Sequence, residues 1–123
     1  MPNPGFRSAQ GRPHQLEDVL VRHRQLRIFI ENAAYPYLDE VVAIMTQYPH
    51  VYADDSTITW VIPRTAVHRY RRALIDSGLG RRLMFGSDQM NWPEAIDRAV
   101  EAIESADFLT LEQKRDLFYH NAA

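Results

Sequence analysis

An α/β fold built on short parallel strands is what this sequence predicts, and three observations carry the prediction. Short apolar runs recur at residues 26–30, 51–53 and 83–85, each followed by a segment with apolar residues at helical spacing. Successive runs lie about one strand–helix unit apart, the length a right-handed crossover between parallel strands requires. The runs are apolar throughout rather than alternating, as strands buried on both faces are. The expected sheet therefore has three strands in sequence order, with helices packed on one side.

The whole chain sets the limits. At 123 residues it makes one domain, 1–123, and its 46% hydrophobic and 24% charged content is that of an ordinary globular protein. A net charge of −2 argues against a general nucleic-acid binder. The absence of cysteine removes disulfides, thiolate metal sites and thiol nucleophiles. No apolar stretch is long enough to span a membrane, and residues 1–5 lack the apolar centre of a signal peptide, so a cytoplasmic location is expected. No glycine-rich phosphate loop follows any apolar run, which sets aside a nucleotide-binding domain.

In order, residues 1–13 carry prolines and glycines and read as a loop or disordered end. Residues 15–23 form a helix with Leu16, Val19, Leu20 and His23 on one face, His23 serving as a helix-end cation rather than a ligand. The first strand, 26–30, ends at Glu31-Asn32-Ala33-Ala34, and Pro36 marks a turn. Leu38, Val41, Val42 and Met45 make the next helix face, stopped by Pro49. Residues 51–53 are the second strand. The adjacent Asp54 and Asp55 diverge in an extended chain, so they cap or brace a loop rather than converge on one substrate atom. Residues 57–63 are apolar and irregular. A helix with Val67, Tyr70 and Leu74 follows, terminated by Gly78 and Gly80. Its arginines, with Arg64, Arg81 and Arg82, read as a solvated basic face without the aromatic platform of single-strand binding.

The third strand delivers the main candidate. Met84-Phe85-Gly86-Ser87-Asp88 is an apolar run that breaks at a glycine and ends in a carboxylate. Chemistry in α/β proteins sits at such strand ends, although a loop carboxylate often only braces the next helix. Ile96, Ala99, Val100 and Ile103 then line one helix face, and Thr110-Leu111-Glu112-Gln113 is a capping box for a last helix buried through Leu111 and Phe118.

These stretches resemble the amidohydrolase superfamily, in particular the metal-dependent amidohydrolases and related decarboxylases. The residues that carry the resemblance are Leu16 to His23, Leu26 to Pro36, Val51-Tyr52-Ala53-Asp54, Met84 to Asp88 with Trp92-Pro93, and Gln113-Lys114-Arg115-Asp116 with Asn121-Ala122-Ala123. They look like the family's last three barrel strands, the helix before them and the terminal helix. The resemblance implies a partial (β/α)8 TIM barrel, the last three β/α units plus a C-terminal helix, about half of a complete barrel of about 250 residues. It implies that Asp88 is the metal-ligating, proton-handling aspartate, with Asn32, Asp54, Ser56 and Ser87 on the pocket rim. It further implies a small-molecule substrate and a divalent metal, zinc, in the complete fold.

Two departures qualify what the resemblance implies. Asn32 stands where the family usually carries a histidine, and asparagine neither shuttles a proton near neutral pH nor binds zinc well. The His-x-His pair of the first barrel strand has no counterpart here. The chain alone is thus expected to bind zinc weakly and to be inactive, and to need a missing N-terminal half or a second copy. The alternative is a non-catalytic half-barrel acting as an interaction or structural module.

Overall fold

The computed structural model describes residues 4–5 and 7–123. They form a mixed α/β unit around one parallel sheet of three strands in the order β1-β2-β3. The strands are β1 Ile28–Ile30, β2 Val51–Asp54 and β3 Leu83–Met84, with Phe29 beside Tyr52 and Ala53 beside Leu83. Parallel pairing in chain order is as the strand–helix spacing predicts. Two strands are shorter than the apolar runs, because Leu26 N–H is spent on a turn to His23 O and Phe85 N–H on Leu117 O.

The helices are α1 Glu17–Arg22, α2 Leu38–Gln47, α3 Ile58–Val61, α4 Arg64–Asp76, α5 Ala95–Glu104 and α6 Leu111–Arg115. Before α1, 3-10 turns occupy Ser8–Gly11 and Pro13–Leu16, and the Tyr37 hydroxyl donates to Ser8 O at 2.8 Å. The rest of the expectation for 1–13, at residues 1–3 and 6, lies outside the described residues. Residues 57–63, expected to be irregular, include the single helical turn α3. Helix α4 ends in a Schellman arrangement. Leu79 N–H reaches Leu74 O, Gly78 N–H reaches Ile75 O, and Gly78 takes the left-handed φ of 80° that a side chain would resist.

One face of the sheet makes the core. Ile30, Val51, Ala53 and Leu83 pack with Val41, Ile44 and Met45 of α2, Tyr70 and Leu74 of α4, and Ile103 of α5. Truncating one of these large residues to alanine costs about 2–5 kcal/mol. Residues alternating to the other face behave differently: Phe29 is 48% exposed, and Tyr52 and Met84 are half-buried. Continuous apolarity therefore does not mean burial on both faces.

Three expected apolar faces are corrected. Val19 is exposed on the short α1, where only Leu20 is buried. Ile96 is exposed because α5 packs through Ala95, Ala99 and Ala102, whose small side chains allow close approach. Leu111 is exposed because α6 passes into a π-turn at Asp116–His120, which shifts the register and turns Leu117 inward. The Thr110–Gln113 capping box forms as the sequence predicts.

The largest correction concerns the basic face of α4. Arg71 is 1% exposed. Its guanidinium pairs with Asp55, Nε donating at 2.6 Å, and Nη1 donates to Ala102 O at 2.5 Å. Burial pushes the Asp55 carboxyl up from the ordinary carboxylate range, and Arg71 opposes that shift. The pair ties the end of β2 to α4 and α5.

Candidate functional site

Parallel strands place their C-terminal ends along one rim, so the turns after β1, β2 and β3 meet there. After β1 the chain enters a tight turn, Glu31–Ala34, in which Asn32, Ala33 and Ala34 all have positive φ (58°, 45° and 53°). Asparagine tolerates this region through local hydrogen bonding, but alanine does not, and such residues cost of order 1–3 kcal/mol each.

The turn is held from both sides. Asn32 N–H donates to Asp54 Oδ1 at 2.9 Å. Its side-chain Oδ1 accepts from Thr57 N–H at 2.8 Å and lies 3.2 Å from the Ser56 hydroxyl, whose one proton is shared with the nearer Asp54 Oδ1. Beneath the turn, the Tyr70 hydroxyl donates to Ala33 O at 2.8 Å, and burial raises that phenol's pKa far above its ordinary value. Asp54 Oδ1 also accepts from Ser56 N–H at 3.0 Å and the Ser56 hydroxyl at 2.8 Å. One oxygen of Asp54 thus anchors the ends of β1 and β2 together.

Asp88 joins through Thr57, whose buried hydroxyl donates to Asp88 Oδ2 at 2.6 Å. Asp88 itself has φ 54°, so backbone strain recurs at the end of β3. Gly86 lets that strand end approach. A Cβ there would lie 2.7 Å from Ser56 Cβ and 2.9 Å from Asp54 Cγ, closer than real side chains come. Trp60 of α3 donates its indole N–H to Ser87 O at 3.2 Å and meets Trp92 edge-on at 6.2 Å.

The structure therefore brings Asn32, Asp54, Ser56 and Asp88 into one hydrogen-bonded rim. Ser87 is not bonded into it, its carbonyl accepting instead from the Trp60 indole. Asp55 turns away to Arg71, as divergence of adjacent side chains in an extended segment predicts. Thr57 is the residue that sequence reading missed. It stands directly behind the β2 carboxylates, at the start of a stretch read only as irregular, with no local signal of its own.

Among the described residues no three His, Cys, Asp or Glu side chains gather as a metal centre would need. Histidines lie elsewhere: His14 by Glu40, His68 against Ala102 O, and His120 by Asp116. The rim's donor set, with one Asp54 oxygen already committed to three donors, does not fit a metal centre on its own, since catalytic zinc takes about three protein ligands. No described helix is long and apolar enough to cross a membrane.

Comparison with known proteins adds two matches. The model of the amidohydrolase family matches residues 2–123. Protein fluG of Emericella nidulans is 22% identical over 126 residues, covering 89% of this chain and 14% of that protein. The chain thus spans well under two thirds of that relative. No solved structure matches.

Proposed function

We propose a function from one premise: the chain belongs to the amidohydrolase family. It supplies the last three β/α units and the C-terminal helix of a (β/α)8 barrel. That barrel hydrolyses a C–N bond, or carries out the related decarboxylation, on a small molecule.

The observation that supports this reading is the hydrogen-bonded rim from Asn32 through Ser56 and Thr57 to Asp88. Thr57 engages Oδ2 of Asp88, which orients the carboxylate and leaves Oδ1 to accept a proton at the strand ends. The family is typically metal-dependent, and Asp88 is the carboxylate this chain contributes towards such a centre. Its further ligands come from the part of the barrel outside these residues. Asn32 ties the rim together in place of a histidine and carries no proton.

Calorimetric titration of the purified chain with zinc, alongside amide-hydrolysis assays, tests the reading. Weak zinc binding and no turnover are expected of the chain alone, with turnover appearing when the preceding barrel segment is supplied and disappearing in Asp88→Asn. Tight stoichiometric zinc binding and turnover by the 123-residue chain would overturn it.

A specific observation favours a second reading, a non-catalytic half-barrel serving as an interaction module. The Asn32 amide oxygen is fully used in holding Ser56 and Thr57, a structural employment. Upstream DNA that encodes no related barrel segment would put this reading first.

A further inference from the structure

Outside the hydrogen-bonded rim, the connections that follow β2 and β3 enclose a second cleft. Thr59, Trp60, Ile62 and Arg64 form one wall, Trp92 and Arg98 form the other, and the space between them is about 260 Å³. None of Asn32, Asp54, Ser56 or Asp88 lines it. Neither wall is a strand edge, and α3 packs against α5, so the cleft is built by two consecutive strand–helix units of this chain and owes nothing to where the sheet ends.

The cleft joins aromatic surface to one free positive charge. Trp60 is half-buried and fixed by its indole bond to Ser87 O, and Trp92, edge-on to it, is 39% exposed. Tryptophan is ordinarily well buried. Val61 at 41% and Met90 at 91% add exposed apolar surface to the same two segments, and such surface rimmed by charge marks a binding site. The two arginines differ. Arg64 is committed, Nη1 donating to Ser105 Oγ at 2.9 Å and Nη2 lying 3.4 Å from both Arg98 O and the Glu101 carboxylate. The Arg98 guanidinium has no ion pair among the described residues, although Glu94, Asp97 and Glu101 are close to it in sequence.

We propose that this cleft is a binding site, separate from the rim, for a small molecule that joins one aromatic ring to a carboxylate. The indoles of Trp60 and Trp92 take the ring, and the free guanidinium of Arg98 takes the carboxylate. An aromatic pair by itself would also suit a cation, but the two guanidiniums repel one. Arg64 is already matched by Glu101, so the cleft offers one uncompensated charge, which suits a singly charged carboxylate rather than a phosphate. Its volume lies below the roughly 300–1,000 Å³ of pockets for drug-sized ligands, which limits the ligand to a single ring. The proposal does not depend on hydrolysis at Asp88.

The test uses the full chain, whose only tryptophans are Trp60 and Trp92, so tryptophan emission reports on the cleft directly. Phenylacetate is expected to change that emission saturably and to bind roughly tenfold more tightly than uncharged phenylacetamide, with the gap narrowing as salt rises. Arg98→Gln should bring phenylacetate down to the level of phenylacetamide and leave phenylacetamide unchanged. Arg98 is exposed, so the far-UV circular dichroism of this variant should match the parent. Arg69→Gln, outside the cleft, should bind as the parent does. Asp88→Asn should also bind like the parent, which separates failure here from failure of the hydrolase reading. A response that never saturates, equal binding of the two probes by the parent, or undiminished phenylacetate binding by Arg98→Gln would each overturn the proposal. Tighter binding of phenyl phosphate than of phenylacetate would overturn the assignment to a carboxylate.

Discussion

Asp54 and Asp55 are neighbours in sequence and opposites in employment. Asp54 sits at the rim and gathers three neutral donors from Asn32 and Ser56. Asp55 turns into the outer layer and forms a buried ion pair with Arg71. The first arrangement fixes the strand ends to one another. The second fixes the helices around them. Neutral donors let a carboxylate orient a rim without a buried counter-charge, whereas the ion pair is costly to break from either side.

The largest effect is expected where that cost is exposed. Arg71→Met leaves Asp55 buried without a partner and should destabilise the protein by about 3–5 kcal/mol, with much of the loss recovered when Asp55→Leu is added. Urea unfolding of the single and double variants measures it. If the double variant were as unstable as the single, the pair would not be an ion-pair clamp.

Next comes the close approach at the rim. Gly86→Ala places a methyl group against Ser56 and Asp54 and should cost about 1–3 kcal/mol, read from the same unfolding curves. A neutral result would mean the strand end yields easily, and the contrast between a rigid rim and a rigid outer layer would fade.

Thr57→Val removes the donor to Asp88 and should cost about 1 kcal/mol in stability. Thr57→Ser should restore it. In a complete barrel the valine variant should lose turnover out of proportion to its stability, and parallel assays of the three proteins would sharpen the rim's share in function.

The smallest expected effect concerns His68, which faces the outer layer near the same Ala102 carbonyl that Arg71 uses. Burial lowers its pKa from 6.5, and the nearby Arg71 and Arg64 add to the shift. The unfolded chain then takes up the proton first, so stability falls as pH drops below 6.5 until the folded imidazole also protonates. Melting temperatures of the parent and His68→Gln on either side of that pH should diverge slightly, the parent losing more on acidification. The paired His14 and His120 are common to both proteins and cancel in the difference.

The strand–helix order was legible because each element carries its own period, and β1, β2 and β3 fall within one or two residues of the apolar runs. The rim was legible in its carboxylates and in Asn32, since strand ends of a parallel sheet must meet. Thr57 was not, because nothing local in a run of apolar residues announces a hydroxyl aimed across to another strand. Arg71 was hidden for a similar reason. One of several arginines on a helix becomes a buried cation only because the distant Asp55 and Ala102 arrive beside it. The left-handed backbone of Ala33 and Ala34 has no sequence signature, since alanine alone does not ask for positive φ. Leu111 and Leu117 exchanged roles because a π-turn broke the helical count on which the face had been drawn.

The C-terminal closure of β3 also dictates an order of events during synthesis. Asn121 stands 38 residues after Leu83 and 41 after Gly80, the carbonyls it satisfies. While the ribosome still holds that segment, β2 and β3 have emerged but the outer edge of β3 has no cover. For those moments the outer edge of β3 is open, and pairing between neighbouring chains on a polysome competes with docking of that segment. The segment around Leu117–Asn121 thus acts as a seal on β3, and the window before it docks leaves that edge open to pairing between chains.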